Sequence, residues 1–398
     1  MQWPTKKLGE ICEDFQKRKA PLGFTPYVEI GNVDVVSKKI NFNNKGAVQG
    51  SFFAPAEAVL ISRVRPTRGA VVFLDRELAV SPAFTVIKTK KEINPKLLFY
   101  FLAWNKDFFN YLGSRQKGTN YPSVRESDIL DFKISIPKNE NEQQKIVSIL
   151  DTIQSAIEVQ EKMVEKTKEL KKSMMAELFK YGGPSFRKGR KLKKTEIGEI
   201  PEDWDVVKVK NLGVVITGTT PSTSVVEYWD GEIPFVTPSD FNGKNYVYQT
   251  QRKVSEKGIK KRKLLPKNSV LVVCIGSTIG KVALAYERCI TNQQINAIIC
   301  NDSKANPFFV HYYFSKNQNL LKSYAGTTAK PIVKKSLFEN LLIPLPPLSE
   351  QREIAEILQT IDQKIEIEKK KKELYEELFK TMLNKIMNQE IDVEKIKI

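Results

Sequence analysis

Residues Glu142–Gln160 read EQQKIVSILDTIQSAIEVQ, and residues Glu350–Glu368 read EQREIAEILQTIDQKIEIE. Extended to Lys180 and Asn388, the two stretches align without a gap at a constant offset of 208 residues, with 15 of 39 positions identical. Such self-similarity marks an internal repeat. Ile146, Leu150, Ile153 and Ile157 fall on Ile354, Leu358, Ile361 and Ile365, and Leu170, Lys172 and Met174 fall on Leu378, Lys380 and Met382. Apolar positions stepping by four and three form the seam of a coiled coil. In the second copy the seam is read onward as Glu368, Lys372, Tyr375, Phe379, Met382 and Ile386. Each helix would be on the order of 60 Å long at ~1.5 Å per residue, and the two are expected to pair. Gln160, Thr167, Glu368 and Lys372 put polar groups on that seam. They either fix the register at some cost in stability or mark a place where the helices splay.

Working outward, the helices divide the chain. A first module covers residues 1–141, a helix 142–182, a basic connector 183–200, a second module 201–349, a second helix 350–388 and a charged tail 389–398. Gly182-Gly183-Pro184 stops the first helix, because glycine and proline cannot continue it. In the first module Tyr27–Ile30, Val59–Ile61, Val71–Leu74 and Phe132–Ile136 read as short strands, with Gly69 turning between two of them. Asn94-Pro95 opens an aromatic-rich helix, asparagine capping and proline occupying the first turn; its apolar stripe is read as core. The second module repeats this frame. Pro26-Tyr27-Val28 matches Pro234-Phe235-Val236, Val59-Leu60-Ile61 and Gly69 match Val270-Leu271-Val272 and Gly280, Asn94-Pro95 matches Asn306-Pro307, and Gly118-Thr119 matches Gly326-Thr327. The polar residues between these fixed points mostly differ, as in two readers built on one fold.

The formal net charge is +18 over 398 residues, which points to a polyanionic partner, nucleic acid before an anionic membrane surface. The N-terminal MQWPTKKLGE is not a signal peptide. The longest apolar run, Val270–Ile275, is too short to span a bilayer, so a cytoplasmic protein is expected, with no membrane partner. Cys12, Cys274, Cys289 and Cys300 form no C-x-x-C pair and His311 is the one histidine. No metal site is expected, and the thiols read as buried and reduced.

No catalytic residues are assigned. One histidine excludes H-E-x-x-H, and a Walker-type loop is absent. Gly276–Lys281 (GSTIGK) is too short for such a loop and reads as a β-hairpin turn. Asn306-Pro307-Phe308-Phe309 resembles the base-holding Asn-Pro-Pro-Phe of adenine methyltransferases, but it lacks the second proline and reads as a helix start. What remains is binding chemistry. Arg63, Arg65 and Arg68 flank a Pro-Thr turn, and guanidinium groups there suit phosphates or guanine edges. Lys117, Asn120 and Tyr121 lie in a polar loop. The second module places Ser277, Thr278 and Lys281 on the equivalent hairpin, followed by Asn292, Gln293 and Gln294, whose amides suit adenine edges. Lys330, Lys334 and Lys335 follow its later loop.

These pieces together resemble the specificity subunit of type I restriction-modification systems over essentially the whole chain. The resemblance is carried by Leu345–Leu358 (LPPLSEQREIAEIL), Ile136–Leu150 (IPKNENEQQKIVSIL), Lys193–Trp204 (KKTEIGEIPEDW), Ile233–Phe241 (IPFVTPSDF), Gly276–Leu284 (GSTIGKVAL), Thr291–Ile299 (TNQQINAII) and Leu378–Met387 (LFKTMLNKIM). The first module departs from that pattern, with VRPTRGAV and VSPAFTVI in place of the GSTIGKV-like and TNQQINAI-like segments. The resemblance implies an α+β fold: two tandem pseudo-symmetric α/β target-recognition domains, separated by two long helices, the family's conserved regions, that form an antiparallel coiled coil. Each domain would read half of a bipartite, asymmetric site in double-stranded DNA, and the helices would set the spacing between the half-sites. Two modification (methyltransferase) subunits would dock on the helices and their flanks and methylate adenine, and restriction subunits would add translocation and cleavage. The chain itself would hold no cofactor; S-adenosylmethionine, ATP and Mg would sit on partner subunits. The competing readings are a self-sufficient methylase or nuclease with an atypical site and a coiled-coil scaffold outside any restriction system. If the helices act as a ruler, a four-residue insertion in one of them, about one turn or ~5.4 Å, should change the preferred spacer by roughly one to two base pairs at 3.4 Å rise. A methylation assay on templates of graded spacer length reads this directly.

Overall fold

The computed structural model describes residues 3–259, 264–326 and 331–396. The chain divides into two compact units, one made of residues 1–162 and 369–398 and the other of residues 163–368. The first long helix spans Glu140–Tyr181 and the second Leu348–Met387, so each unit takes a stretch from both.

Within the first unit, Ile146, Leu150 and Ile157 from the early turns of the first helix share a core with Phe379, Leu383 and Ile386 from the late turns of the second. Lys372 reaches Glu161 at 2.9 Å. Within the second unit the ends are exchanged. Met175 and Leu178 pack with Ile354 and Leu358, and Lys171 meets Asp362 at 2.5 Å. Early turns against late turns is antiparallel pairing in both. The seam departs from its expected course in one stretch. Tyr375 is 37% exposed and Met382 only half-buried, whereas Leu383 is buried at 1%. The buried positions of the last turns are therefore Phe379, Leu383 and Ile386. Phe379 keeps its expected place, its ring meeting Trp104 edge to face at 4.9 Å, and it is Leu383 that enters the shared core while Met382 packs at its margin. The matched leucines Leu170 and Leu378 are both largely exposed.

Each module is closed by its own ends. Thr5–Lys7 pairs antiparallel with Lys133–Ser135 in the first, and Asp205–Lys208 with Leu342–Leu345 in the second. Between them lies a hairpin of β-branched, buried residues. Val59–Ser62 pairs with Val71–Phe73 and Phe84–Ile87; Val270–Val273 pairs with Val282–Ala285 and Ile295–Cys300. A short parallel pairing recurs, Tyr27–Val28 with Leu78–Val80 and Phe235-Val236 with Ile290-Thr291. The expected strand starting at Tyr27 stops at Val28, because a 3₁₀ turn at Ile30–Asn32 follows. Asn94 accepts the amides of Lys96 and Leu97 and starts the helix Pro95–Ala103. Asn306 accepts those of Phe308 and Phe309 and starts Pro307–Lys316. Its side chain is thus committed to capping, which excludes a base-holding role.

The joint between module and helix is the same in both units. Gln143, 1% exposed, donates its amide to the carbonyls of Glu92 and Pro137 (2.9 Å each) and accepts the Asn94 N–H at 2.7 Å. Gln351, fully buried, donates to Lys304 O at 3.0 Å and Pro346 O at 2.8 Å and accepts the Asn306 N–H at 2.8 Å. The preceding glutamate takes a tryptophan indole N–H in each, Glu142 from Trp3 at 3.0 Å and Glu350 from Trp204 at 2.9 Å. A buried backbone group stripped of its partner costs about 1–3 kcal/mol. Gln351→Ala, which strips three, should lower unfolding free energy by about 3 kcal/mol or more. Gln144→Ala, at an exposed side chain on the next position, should stay within about 0.5 kcal/mol. Denaturant titration followed by tryptophan fluorescence compares the two.

Candidate nucleic-acid interface

In the first unit the hairpin tip and the loop after the second module helix (Lys106–Arg115) are stitched together by the backbone. The Arg65 N–H donates to Pro122 O at 2.6 Å, Val64 bridges Ser123, and the Val124 N–H donates to Arg63 O at 3.0 Å. Arg65 has φ 48°, in the left-handed region, and Gly69 has φ 79°, which lets the chain reverse around the turn Pro66–Arg68. The Arg65 guanidinium donates to Asn120 O at 3.3 Å and lies 4.9 Å from the centre of the Tyr121 ring. Arg65, Asn120 and Tyr121 therefore form one cluster, with Tyr121 72% exposed. Arg68 and Lys117 are exposed beside them. A cationic plane stacked on an exposed ring, ringed by further cations, suits a phosphate backbone or a base face. Arg63 is different. Its guanidinium donates inward to Pro82 O, so the side chain props the hairpin and is not presented.

The second unit builds the same surface with other residues. The Gly276 N–H donates to Pro331 O at 3.0 Å, Ile275 bridges Ile332, and the Val333 N–H donates to Cys274 O at 2.8 Å. Gly276 and Gly280 have φ of 94° and 90°. Ser277 is exposed at the tip, and Thr278 and Lys281 are half-exposed. Gln293 is exposed, accepting from Thr220 Oγ1 at 2.7 Å. Asn292, expected as a reader, is 8% exposed, and both ends of its amide bond Gln294 (2.9 and 3.1 Å). It builds the turn, since a short amide side chain satisfies the backbone two residues on. Gln294 in turn donates to Ile275 O at 3.2 Å and ties that turn to the hairpin. Lys334 and Lys335 are exposed; Lys330 lies outside the described residues.

The family pattern described as the type I restriction modification DNA specificity domain matches residues 1–170 and again residues 201–377. The chain belongs to that family. It is similar to the type I restriction enzyme MjaIX specificity subunit of Methanocaldococcus jannaschii, 36% identical over 53% of this chain and about half, 49%, of that protein. It also resembles the MjaVIII specificity subunit of the same organism, 28% identical over 99% of this chain and 94% of that one. In fold it matches the crystal structure of the type I restriction-modification system S subunit from M. genitalium, with TM-score 0.61, 14% identity and 96% of each chain covered.

The histidine and the thiols of this specificity chain are held in unreactive forms. His311 is buried and neutral, its pKa pushed down to about 3 by burial and then by Lys171. Burial pushes all four cysteine thiols up to about 12, which makes them poor nucleophiles. Among the described residues no three His, Cys, Asp or Glu side chains come together to hold a metal ion, and no helix is long and apolar enough to cross a membrane.

Nothing in the sequence marks Lys38, yet it underlies the hairpin turn of the first candidate surface. Its ammonium, 7% exposed, donates to Gly69 O at 2.7 Å and sits 5.7 and 5.5 Å from the Trp104 and Phe109 rings. Burial lowers its pKa from 10.5 to about 8. Between about pH 8 and 10.5 the unfolded chain thus holds a proton that the folded chain has lost, and stability gains with rising pH. The difference in unfolding free energy between wild type and Lys38→Met should rise across that window and be flat below it. Denaturant titrations from pH 7 to 10.5 measure it.

Proposed function

We propose that this chain reads DNA sequence for a type I restriction-modification complex, one half-site per module, with residues 1–141 and 201–349 as the two recognition domains. The observation that carries the reading is the repeated tip: a hairpin turn stitched to a proline carbonyl at Arg65–Pro122 and at Gly276–Pro331, with different side chains on each. An identical frame presents different chemistry, so the two half-sites differ and the full site is asymmetric. Arg65, Arg68, Lys117, Asn120 and Tyr121 serve the first half-site. Ser277, Thr278, Lys281, Gln293 and Lys330 serve the second, while Arg63 and Asn292 shape the surfaces from beneath. The long helices set the spacing and dock two methyltransferase subunits and the restriction subunits. Their exposed apolar side chains fit such docking: Leu374 and Leu378 in the first unit, Leu170 and Ile367 in the second. S-adenosylmethionine, ATP and Mg belong to those partners.

The test is a methylation map of the host genome by long-read sequencing, with and without this gene. Deletion should remove one split, asymmetric adenine-methylated motif; an unchanged map would count against the reading. Complementation with Arg65→Ala/Arg68→Ala should relax or weaken one half of the motif and leave the other half intact. A bidentate base contact carries about 1–3 kcal/mol of discrimination, so methylation at the original half-site should fall by roughly 5- to 150-fold.

A further inference from the structure

The two units carry equivalent grooves between a long helix and the module, and these differ in charge. In the second unit the groove, about 910 Å³, is lined by Lys168, Lys171, Lys172, Lys244, Lys281 and Lys316, with no carboxylate among its lining residues. In the first unit the groove is about 280 Å³, and Lys39, Lys372 and Lys380 are outnumbered by Asp34, Glu158, Glu161 and Glu376. The repeat shows how the difference arises. At the offset of 208, Lys168, Lys171 and Lys172 stand where the second helix has Glu376, Phe379 and Lys380, and Lys244 stands where the first module has Val36. Ten residues after the capping asparagines, Lys316 stands where the first module has Trp104. The first unit thus plugs its groove with the Trp104–Phe379 ring pair, and the second leaves it open and cationic.

Internal partners use little of that charge. Lys168 bonds Glu165 at 2.7 Å and Lys171 bonds Asp362 at 2.5 Å. Lys172, Lys244, Lys281 and Lys316 have no carboxylate partner among the described residues. Keeping several like charges around one concavity is unfavourable unless an anion enters it. Lys281 also stands at the base of the hairpin tip that carries Ser277, so the groove continues from the second recognition surface.

We infer that the lysine groove of the second unit is a phosphate site that takes the sugar-phosphate backbone of DNA. It supplies affinity independent of sequence on the side of the second half-site only. This rests on the DNA-reading function proposed above. Backbone contacts release counterions, so each lost phosphate contact lowers the slope of log K against log salt by about 0.9.

The experiment measures DNA binding at graded salt by fluorescence anisotropy, using the full chain in the complex it co-purifies with. Specific and scrambled duplexes are compared, and circular dichroism verifies folding of each variant. Lys172→Gln/Lys244→Gln/Lys316→Gln should lower the slope by about 2 to 3 and weaken both duplexes alike, with the methylated motif unchanged. Lys39→Gln/Lys372→Gln/Lys380→Gln removes the same charge from the first unit's groove and should leave the slope within about 0.5. An unchanged slope in the lysine-groove variant, or an equal fall in both variants, would overturn the inference while leaving the DNA-reading function standing. Pyrophosphate that protects the groove lysines from acetylation without competing with duplex would also overturn it, by showing a site for a free anion. If the wild-type complex shows no salt-dependent DNA binding, the DNA-reading function itself falls.

Discussion

Everything in this fold hangs on one buried primary amide, used twice. Gln143 and Gln351 each offer two N–H donors and a carbonyl acceptor, and each finds three backbone partners on two different segments. The partners belong to the approach to the aromatic helix and the exit from the last strand. Only a primary amide meets that demand, and asparagine is one methylene shorter. A carboxylate cannot donate, a lysine cannot accept, and an apolar residue would strand three buried backbone groups. The amide therefore fixes where each long helix starts relative to the module it serves. The glutamate before it does the same for the tryptophan near the module's other end. Glu350 carries more than Glu142, because it also accepts the Gly183 N–H at 2.9 Å and pairs with Arg190, 8% exposed at its side chain. The connector after the first helix is thereby held onto the second unit.

A frame held by such joints and by backbone bonds frees the surface side chains. At both tips the stitch is an N–H to a proline carbonyl, and it does not depend on which side chain follows. Arg65 supports it in a left-handed conformation costly for a residue with a Cβ, whereas Gly276 does so without strain. The first tip accepts that cost where its guanidinium stacks on Tyr121. Side chains at the tip can change while the hairpin, its stitch and the capped helix stay the same. That is the physical condition for two readers of different sequence on one chain.

Much of this frame was legible beforehand, because its signals are local. The heptad steps, the Asn-Pro helix starts and the turn glycines each report a backbone requirement of a few residues, and each recurs in the second half at an offset of 208 to 212 residues. The burial of Leu383 in preference to Met382 was not legible, since that core is assembled from segments far apart in sequence. Nor was the inward turn of Arg63 and Asn292. Arginine and asparagine have the same composition signal whether they face solvent or satisfy a carbonyl, and only the neighbouring strand decides. The glutamine joints left a trace, because Glu-Gln opens both helices identically. Its meaning stayed hidden until the three partners, far apart in sequence, were brought together.

The polar stretch of the helix seam now has a physical account. Gln160, Glu368 and Thr167 are all buried. Thr167 satisfies its hydroxyl on the Met163 carbonyl of its own helix at 2.8 Å, so it contributes nothing that selects a partner. Lys372 reaches across to Glu161 but also lies 3.7 Å from Glu376, and such half-exposed pairs add little stability. Apolar burial is dense at the ends, where Ile146 and Leu150 meet Leu383 and Ile386, and Leu178 meets Leu358. Each helix end therefore belongs energetically to its module. Within each unit the helix ends are held in register by the aromatic core and the glutamine joint.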